Sequence, residues 1–213
     1  MQCAVCDNTR LRALRMGVTR ATEELSALVG VTAVELTADH DDGAAAGARL
    51  VVGTEAALHR LSAAELVAIL DFDQHLLAPR FVAAEEALAL LARAARLLGS
   101  RDRGGRLLVQ TRLPDHDAVR AAARADPALL ADSERELRAA LGLPPFGALA
   151  LLSGAGAGVM AGWMSDRPGV TCSTAGPDRW LVRAEDHAVL SDALVEAPRP
   201  AERVRVEVDP VSV

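Results

Sequence analysis

Leu66-Val67-Ala68-Ile69-Leu70-Asp71 is a short apolar run that ends in a carboxylate. Similar runs lie on either side of it, Leu50-Val51-Val52-Gly53-Thr54 before it and Arg106-Leu107-Leu108-Val109-Gln110-Thr111 after it. The runs at residues 50–54 and 66–71 are typical of strands that are buried on both faces, as in a parallel sheet covered by helices, and residues 106–111 predict another strand. Segments rich in Ala, Leu, Glu and Arg separate the runs and favour helices. Because strand and helix alternate, the sequence predicts an α/β fold.

Helices of this first part are predicted at residues 19–30, 81–98, 117–125 and 132–141. Thr19 can cap the first of them, and Gly30 can end it. Asp126-Pro127 separates the last two, because proline interrupts a helix.

The pair Pro144-Pro145 marks the clearest domain boundary in the sequence. Beyond it, strands are predicted at residues 148–153, 170–172, 180–183 and 204–208, and helices at 159–165 and 187–196. We therefore expect a small α+β domain there, built from one sheet and two helices.

Charge composition narrows the chemistry that the chain can perform. The 213 residues carry a net charge of −6 and include no Lys, so all 23 cationic side chains are Arg. A P-loop needs a Lys on the nucleotide phosphates, and Schiff-base chemistry needs a Lys amine. Both are excluded, and any contact with DNA has to come from a local patch of arginines rather than from the whole surface.

The sequence also bears on cellular location. It has no apolar run of about twenty residues, which a membrane-spanning helix would need. Its first residues do not resemble a secretory signal. Three cysteines are too few for a disulfide framework. We therefore expect a cytoplasmic protein that does not act at a membrane.

Two groups of residues could hold a metal ion. Cys3 and Cys6 form half of a zinc site, but structural zinc takes four ligands, so the alternative is an orphaned pair. Asp71 and Asp73 follow a predicted strand and could hold Mg²⁺. The alternative for these two carboxylates is that they cap the end of the strand.

Two further groups could bind nucleotides or nucleic acid. Gly154-Ala155-Gly156-Ala157-Gly158 lies between a strand and a helix, like a dinucleotide-binding turn, but its glycine spacing differs, and a flexible turn is the alternative. Arg179, Trp180 and Arg183 lie on a predicted hairpin. Arginines on phosphates and a ring stacked on a base are one way to hold single-stranded DNA. The alternative is a core tryptophan with solvated arginines.

Several strings occur in the order in which the primosomal protein N′ (PriA) family of replication-restart helicases carries them. They are Cys3-x-x-Cys6, Gly17-x-Thr19-Arg20-x-Thr22-Glu23-Glu24-Leu25, Val52-Gly53-Thr54, Leu70-Asp71-x-Asp73, Pro79-x-Phe81-x-Ala83-Ala84-Glu85, Val109-Gln110-Thr111, Pro114-Asp115-His116, Glu134-Arg135-Glu136-Leu137-Arg138, Leu143-Pro144-Pro145-Phe146-Gly147 and Val206-Glu207-Val208-Asp209-Pro210. The strings extend over almost the whole chain, which therefore resembles the C-terminal part of that family.

The resemblance implies a domain organisation and a function. Residues 1–18 would be the remnant of a zinc-binding insertion, residues 19–143 a RecA-like second helicase lobe, and residues 146–213 the α+β C-terminal domain. It implies a DNA-binding protein at abandoned replication forks that helps to reload the replicative helicase. The implied partners are DNA, single-stranded DNA-binding protein, and primosome and helicase-loading proteins, and the implied cofactors are zinc and ATP.

Two motifs depart from the family. The family carries Lys-Gly-His-Asp shortly after Gly-Thr, and here that region is shortened and reads His59-Arg60-Leu61-Ser62. Where the family carries Gln-x-x-Gly-Arg-x-Gly-Arg, this chain has Arg93-Ala94-Ala95-Arg96-Leu97-Leu98-Gly99-Ser100. Leu97 and Ser100 replace the two arginines that would reach the nucleotide, and such an arginine is worth roughly 10³–10⁵-fold in phosphoryl transfer. We therefore expect a degenerate helicase that is not an enzyme. The alternatives are a fragment of an active ATP-dependent 3′–5′ DNA helicase and a nucleotide-binding enzyme that uses residues 154–158.

Overall fold

The computed structural model describes residues 17–39, 45, 47–100, 102 and 104–211. No helix within these residues is long and apolar enough to cross a membrane. In chain order the elements are α1 (Val18–Val29), β1 (Val34–Leu36), β2 (Val51–Gly53), α2 (Ala56–Arg60), β3 (Leu66–Ile69), α3 (Asp73–Leu76), α4 (Ala83–Leu98), β4 (Arg106–Val109), α5 (Asp117–Arg124), α6 (Ala128–Leu141), β5 (Ala148–Ser153), α7 (Ala157–Ser165), β6 (Val170–Gly176), β7 (Arg179–Ala184), α8 (His187–Glu196) and β8 (Arg205–Val208).

The fold is a mixed α/β fold with small parallel sheets and one antiparallel sheet. The chain divides into two compact units, Met1–Ala68 with Arg93–Leu108, and Ile69–Ala92 with Val109–Val213. The second unit includes residues on both sides of Pro144-Pro145. In the described part of the chain, however, no sheet combines strands from before and after that pair. The domain boundary at residues 143–146 stays a prediction.

The first helix that the structure describes ends as its sequence predicts. Gly30 adopts the left-handed conformation (φ 69°) and its N–H donates to the Ser26 carbonyl at 2.9 Å. The residue before the helix is Gly17, so the expectation that Thr19 caps it is wrong. Strands β1 and β2 then pair in parallel, with Leu36 opposite Gly53. A Cβ at Gly53 would lie 2.1 Å from the Leu36 carbonyl oxygen, so only glycine fits there.

Strands β3 and β4 form a second two-stranded sheet. The Arg106 N–H donates to the Glu65 carbonyl and the Gln110 N–H to the Ile69 carbonyl, so the two strands run in the same direction. The burial on both faces that was expected for β3 is wrong, because its side chains alternate between exposed and half-buried, and Leu66 is 54% exposed. Side chains of β4 alternate in the same way. An uninterrupted apolar run does not reveal that only one face of the strand is packed.

Arg138 on α6 contacts several segments of the second unit near Pro144-Pro145. Its guanidinium donates to Glu85 Oε2 at 2.6 Å and to the Pro144 carbonyl at 3.4 Å, and it lies 5.3 Å from the centre of the Phe81 ring. One side chain thus contacts the start of α4, the loop before it and the segment after α6.

The C-terminal residues form the four-stranded antiparallel sheet, in the order β6-β7-β5-β8. Strand β5 pairs with β7 on one edge and with β8 on the other. Helices α7 and α8 cover one face, where their apolar residues pack with alternate residues of the strands. The expected arrangement of one sheet and two helices is therefore confirmed for this part of the chain.

Asp209, which follows β8, forms hydrogen bonds with β5, an inner strand of this sheet. The Leu149 N–H donates to Asp209 Oδ1 at 3.1 Å, and the Asp209 N–H donates to the Leu149 carbonyl at 2.8 Å. Asp209 Oδ2 lies 2.7 Å from Nε2 of His187, the first residue of α8. The backbone of Asp209 has a φ of 46°, a region that Asp and Asn tolerate better than other side chains. One carboxylate thus joins β5, β8 and α8.

We predict that Asp209→Ala destabilises the fold in urea unfolding followed by far-UV circular dichroism. The change leaves the N–H of the buried Leu149 without its acceptor, which costs about 1–3 kcal/mol. Asp178→Ala is the matched control, because Asp178 has a similar φ of 51° and is exposed. We expect Asp209→Ala to lose at least about 1 kcal/mol more than the control. Equal losses in the two variants would show that the carboxylate does not hold the sheet.

Candidate nucleic-acid interface

Asp71 and Asp73 lie where β3 ends, as expected, and both are engaged within the protein. The Asp71 N–H donates to Gln110 Oε1 at 3.0 Å. The Thr111 hydroxyl donates to Asp73 Oδ1, and the Arg112 N–H donates to the same carboxylate at 3.1 Å. The hydrogen bond from Thr111 has the largest effect on the pKa of Asp73 and lowers it. Desolvation opposes this with a smaller effect, and the hydrogen bond from Arg112 lowers the pKa further. Asp73 therefore caps the strand ends.

No cluster of three or more His, Cys, Asp and Glu that could hold a metal lies within the residues that the structure describes. Cys3 and Cys6, the predicted zinc ligands, lie outside those residues. The third cysteine, Cys172, lies on the helix-covered side of β6, where burial raises the pKa of its thiol. A thiol with a raised pKa is a poor nucleophile at neutral pH.

The degenerate arginine motif lies on the second half of α4. Leu97 is buried at 8% exposure and its carbonyl accepts a hydrogen bond from the Ala64 N–H. Arg96 and Ser100 are exposed, and Arg93 forms an ion pair with Glu55. The position that the resemblance assigns to the first of the two arginines thus lies on the packed side of the helix, where an arginine would place a charge in the interior.

The structure separates the three residues of the predicted DNA patch. Side chains alternate along a strand, so Trp180 points to one face of the sheet, and Arg179 and Arg183 point to the other. Trp180 is half-buried against the core under α7 and α8. A ring in that place packs with Leu152, its partner on β5. The three side chains therefore do not form one surface.

The face opposite α7 and α8 brings together other residues with the two arginines. Arg179 and Arg205 both lie opposite Ser153, one on each side of it, and Arg183 lies opposite Thr171. We call this set, with Ser173, the arginine face. Arg183, Arg205, Thr171 and Ser173 are exposed, while Arg179 and Ser153 are half-buried. Leu149, Leu151 and Leu181 also point to this side and are buried, so the middle of the face is covered and the arginines and hydroxyls lie around it.

The arginine face has a positive net charge, whereas the net charge of the whole chain is negative. Among the strand residues that point to it, three are arginines and Glu207 is the acid, 3.5 Å from Arg205. With adjacent strands about 4.8 Å apart, Arg179 and Arg205 start about 10 Å from each other. Arg179 and Arg183, four residues apart, start about 13 Å from each other.

Sequence reasoning missed Arg205, because its place beside Ser153 depends on the pairing of β8 with β5. The alternation in Arg205-Val206-Glu207-Val208 predicts a two-sided strand but not its neighbour.

Sequence reasoning also missed the contacts of Arg167. Its guanidinium lies 3.8 Å from the centre of the Trp163 ring and 3.3 Å from Glu196. This arginine covers one side of the ring, so that side is closed to a nucleic-acid base.

The glycine-rich turn is closely packed by the segment before β8. A Cβ at Gly154 would lie 2.4 Å from the Arg203 carbonyl oxygen, and one at Gly156 would lie 2.9 Å from the Glu202 carbonyl oxygen. Gly154 has a φ of 118°, which other residues rarely adopt. Backbone approach therefore accounts for these two glycines without a bound nucleotide.

No family model matches the chain.

We predict that Trp180→Ala lowers the free energy of unfolding by about 3 kcal/mol, because the ring fills part of the core. Arg183→Ala, on the same strand but exposed, should change it by less than about 0.5 kcal/mol. Urea unfolding of both variants measures the difference. A stable Trp180→Ala variant that binds single-stranded DNA more weakly would instead place the ring on a base.

Proposed function

We propose that this chain is a DNA-binding scaffold of the replication-restart type that does not hydrolyse ATP. In this proposal residues 19–143 are a degenerate, RecA-like second helicase lobe and residues 146–213 hold the DNA. The protein would act at abandoned replication forks and help to reload the replicative helicase. Single-stranded DNA-binding protein and the primosome and helicase-loading proteins are the partners that the family resemblance implies.

The arginine face is the observation that carries the proposal. Arginines and hydroxyls are the groups that most often contact phosphate oxygens, and this face combines Arg179, Arg183 and Arg205 with Ser153 and Thr171. Because the whole chain has a charge of −6, a DNA strand would be repelled from most of its surface. The arginines around the covered leucines give the phosphates of the strand a place to bind.

Such a face contacts the backbone of DNA and not its base edges. Trp180, the aromatic residue that could have stacked on a base, lies on the opposite side of the sheet. We therefore expect binding that is weak, independent of sequence and strongly dependent on salt, because phosphate contacts release bound counterions. A scaffold that must act at forks of any sequence needs no more than this.

The composition of the chain and the surroundings of three residues argue against ATP hydrolysis. The chain has no Lys for the nucleotide phosphates. Asp73 accepts hydrogen bonds from Thr111 and Arg112, Leu97 belongs to the packed side of α4, and Ser100 carries no positive charge. None of these groups can replace the arginines and the lysine that stabilise the transition state of phosphoryl transfer.

We predict that Arg179→Ala/Arg183→Ala weakens the binding of single-stranded DNA and flattens its salt dependence. The slope of log K against log salt should fall by roughly 0.7 for each phosphate that the protein no longer neutralises, so by about 1.4 for two. Fluorescence anisotropy with a labelled oligonucleotide at several salt concentrations measures both quantities.

Arg124→Ala/Arg135→Ala is the matched control for that variant, because it removes the same charge from exposed positions on α5 and α6. It should leave the slope unchanged. If both double variants lower the affinity equally, net charge and not the arginine face would govern binding.

We also predict no ATP turnover by the chain, with or without DNA. Leu97→Arg/Ser100→Arg should not restore it, because the lysine that a P-loop supplies is still missing. A coupled assay for released phosphate tests this, with a mock purification as the control. Turnover that copurifies with the protein would support the alternative of an active helicase fragment. A saturable nucleotide titration with no effect of DNA would support the nucleotide-binding alternative.

A further inference from the structure

Strand β8 is an edge of the four-stranded sheet. Among the residues that the structure describes, it pairs with β5 alone. The opposite edge strand, β6, has a register shift between Thr174 and Gly176 and exposes polar side chains. Strand β8 is short and carries Arg205 and Glu207, but it has no such irregularity and no proline, so a strand with complementary charges can pair with it.

At this edge the backbone N–H and C=O groups of Val204, Val206 and Val208 point away from the sheet. The Asp209 N–H donates to the Leu149 carbonyl, so residue 209 is one of the positions that bond to β5. In an antiparallel pair these positions alternate, which assigns Glu207 and Arg205 to β5 as well. The N–H and C=O groups of Val204, Val206 and Val208 therefore point outward.

The valine side chains are also exposed, Val206 at 41% and Val208 at 50%. They point to the same side of the sheet as α7 and α8, but these helices lie over β5, β6 and β7. Arg205 and Glu207 point to the other side. The edge thus has an apolar side, a charged side and free backbone groups between them.

We propose that β8 pairs with β8 of a second copy of this chain, antiparallel, about a twofold axis at Val206. In this register Val206 is opposite its own copy, and Val204 is opposite Val208, so all outward backbone groups are bonded. Arg205 is then opposite Glu207 of the second copy, twice in the dimer. This inference goes beyond the proposed DNA contact and does not depend on it.

Neighbouring twofold registers bring like charges together. An axis at Val208 would place Glu207 opposite Asp209 and would place Val206 opposite Pro210, which has no N–H. An axis at Val204 would place Arg205 opposite Arg203. Like charges directly opposite each other destabilise strand pairing, so the charges select the axis at Val206.

We expect a weak and reversible dimer. The pairing joins about five residues of each copy, and such an interface is smaller than the roughly 1,000 Å² that a tight complex buries. A dissociation constant of roughly 10–100 µM would correspond to such an interface. Sedimentation velocity over concentrations from about 1 to about 300 µM, in the absence of DNA, spans that range.

Three variants test the register. Val206→Lys places like charges at the axis and should raise the dissociation constant at least about tenfold. Val195→Lys, which adds the same charge at an exposed valine on α8, is the matched control and should dimerise like the wild type. Arg205→Glu and Glu207→Arg should each stay monomeric when alone, because each places like charges opposite one another.

Mixing the two charge variants in equal amounts is the decisive step. In the mixed pair every Arg is again opposite a Glu, so a heterodimer should form although neither variant associates alone. Because mixing cannot repair a misfolded protein, loss of folding cannot imitate this result. The proposal is overturned if the wild type stays monomeric throughout, if it forms open-ended oligomers, or if the mixture stays monomeric.

Discussion

Strand β5 is the element on which the C-terminal sheet depends, because it hydrogen-bonds along both of its edges. Its residues Ala148 to Leu152 are all buried, and they pair with β7 on one side and with β8 on the other. Strand β6 joins the sheet only through β7. The last residue of β5, Ser153, lies between Arg179 and Arg205, so the arginine face exists only because β5 holds its two neighbours at one register.

The alternation of side chains along a strand explains both the core and the surface of this sheet. Trp180 and Val182 face the helices and contribute apolar area to the core. The same alternation turns Arg179 and Arg183 to the other face. A chain that is acidic overall thereby concentrates positive charge on one side of a sheet. The proposed DNA contact and the stability of the domain thus have a common physical origin.

Where local rules suffice, the sequence predicts the structure well. The bounds expected for β5 and α8 agree with those observed, and Gly30 ends α1 as expected. The burial of β3 was predicted wrongly, because an uninterrupted apolar run does not show which face is covered.

The candidate site was less predictable from the sequence than the fold. The separation of Trp180 from its neighbouring arginines follows from strand alternation and could have been foreseen. The place of Arg205 could not, because Arg205 and Arg179 are brought together by the pairing of three strands. The roles of Asp73 and Asp209 likewise depend on partners 38 and 60 residues away in sequence. Long-range pairing of this kind leaves no periodic signal.

The central claim is that DNA lies on the face of the sheet opposite α7 and α8. The most direct test is to titrate the isotopically labelled chain with a short single-stranded oligonucleotide and to follow each backbone amide by nuclear magnetic resonance. The account predicts that the largest shifts fall on Ser153, Thr171, Arg179, Arg183 and Arg205. Shifts that fall on α7 and α8, or on α5 and α6, while these five amides stay unchanged would contradict it.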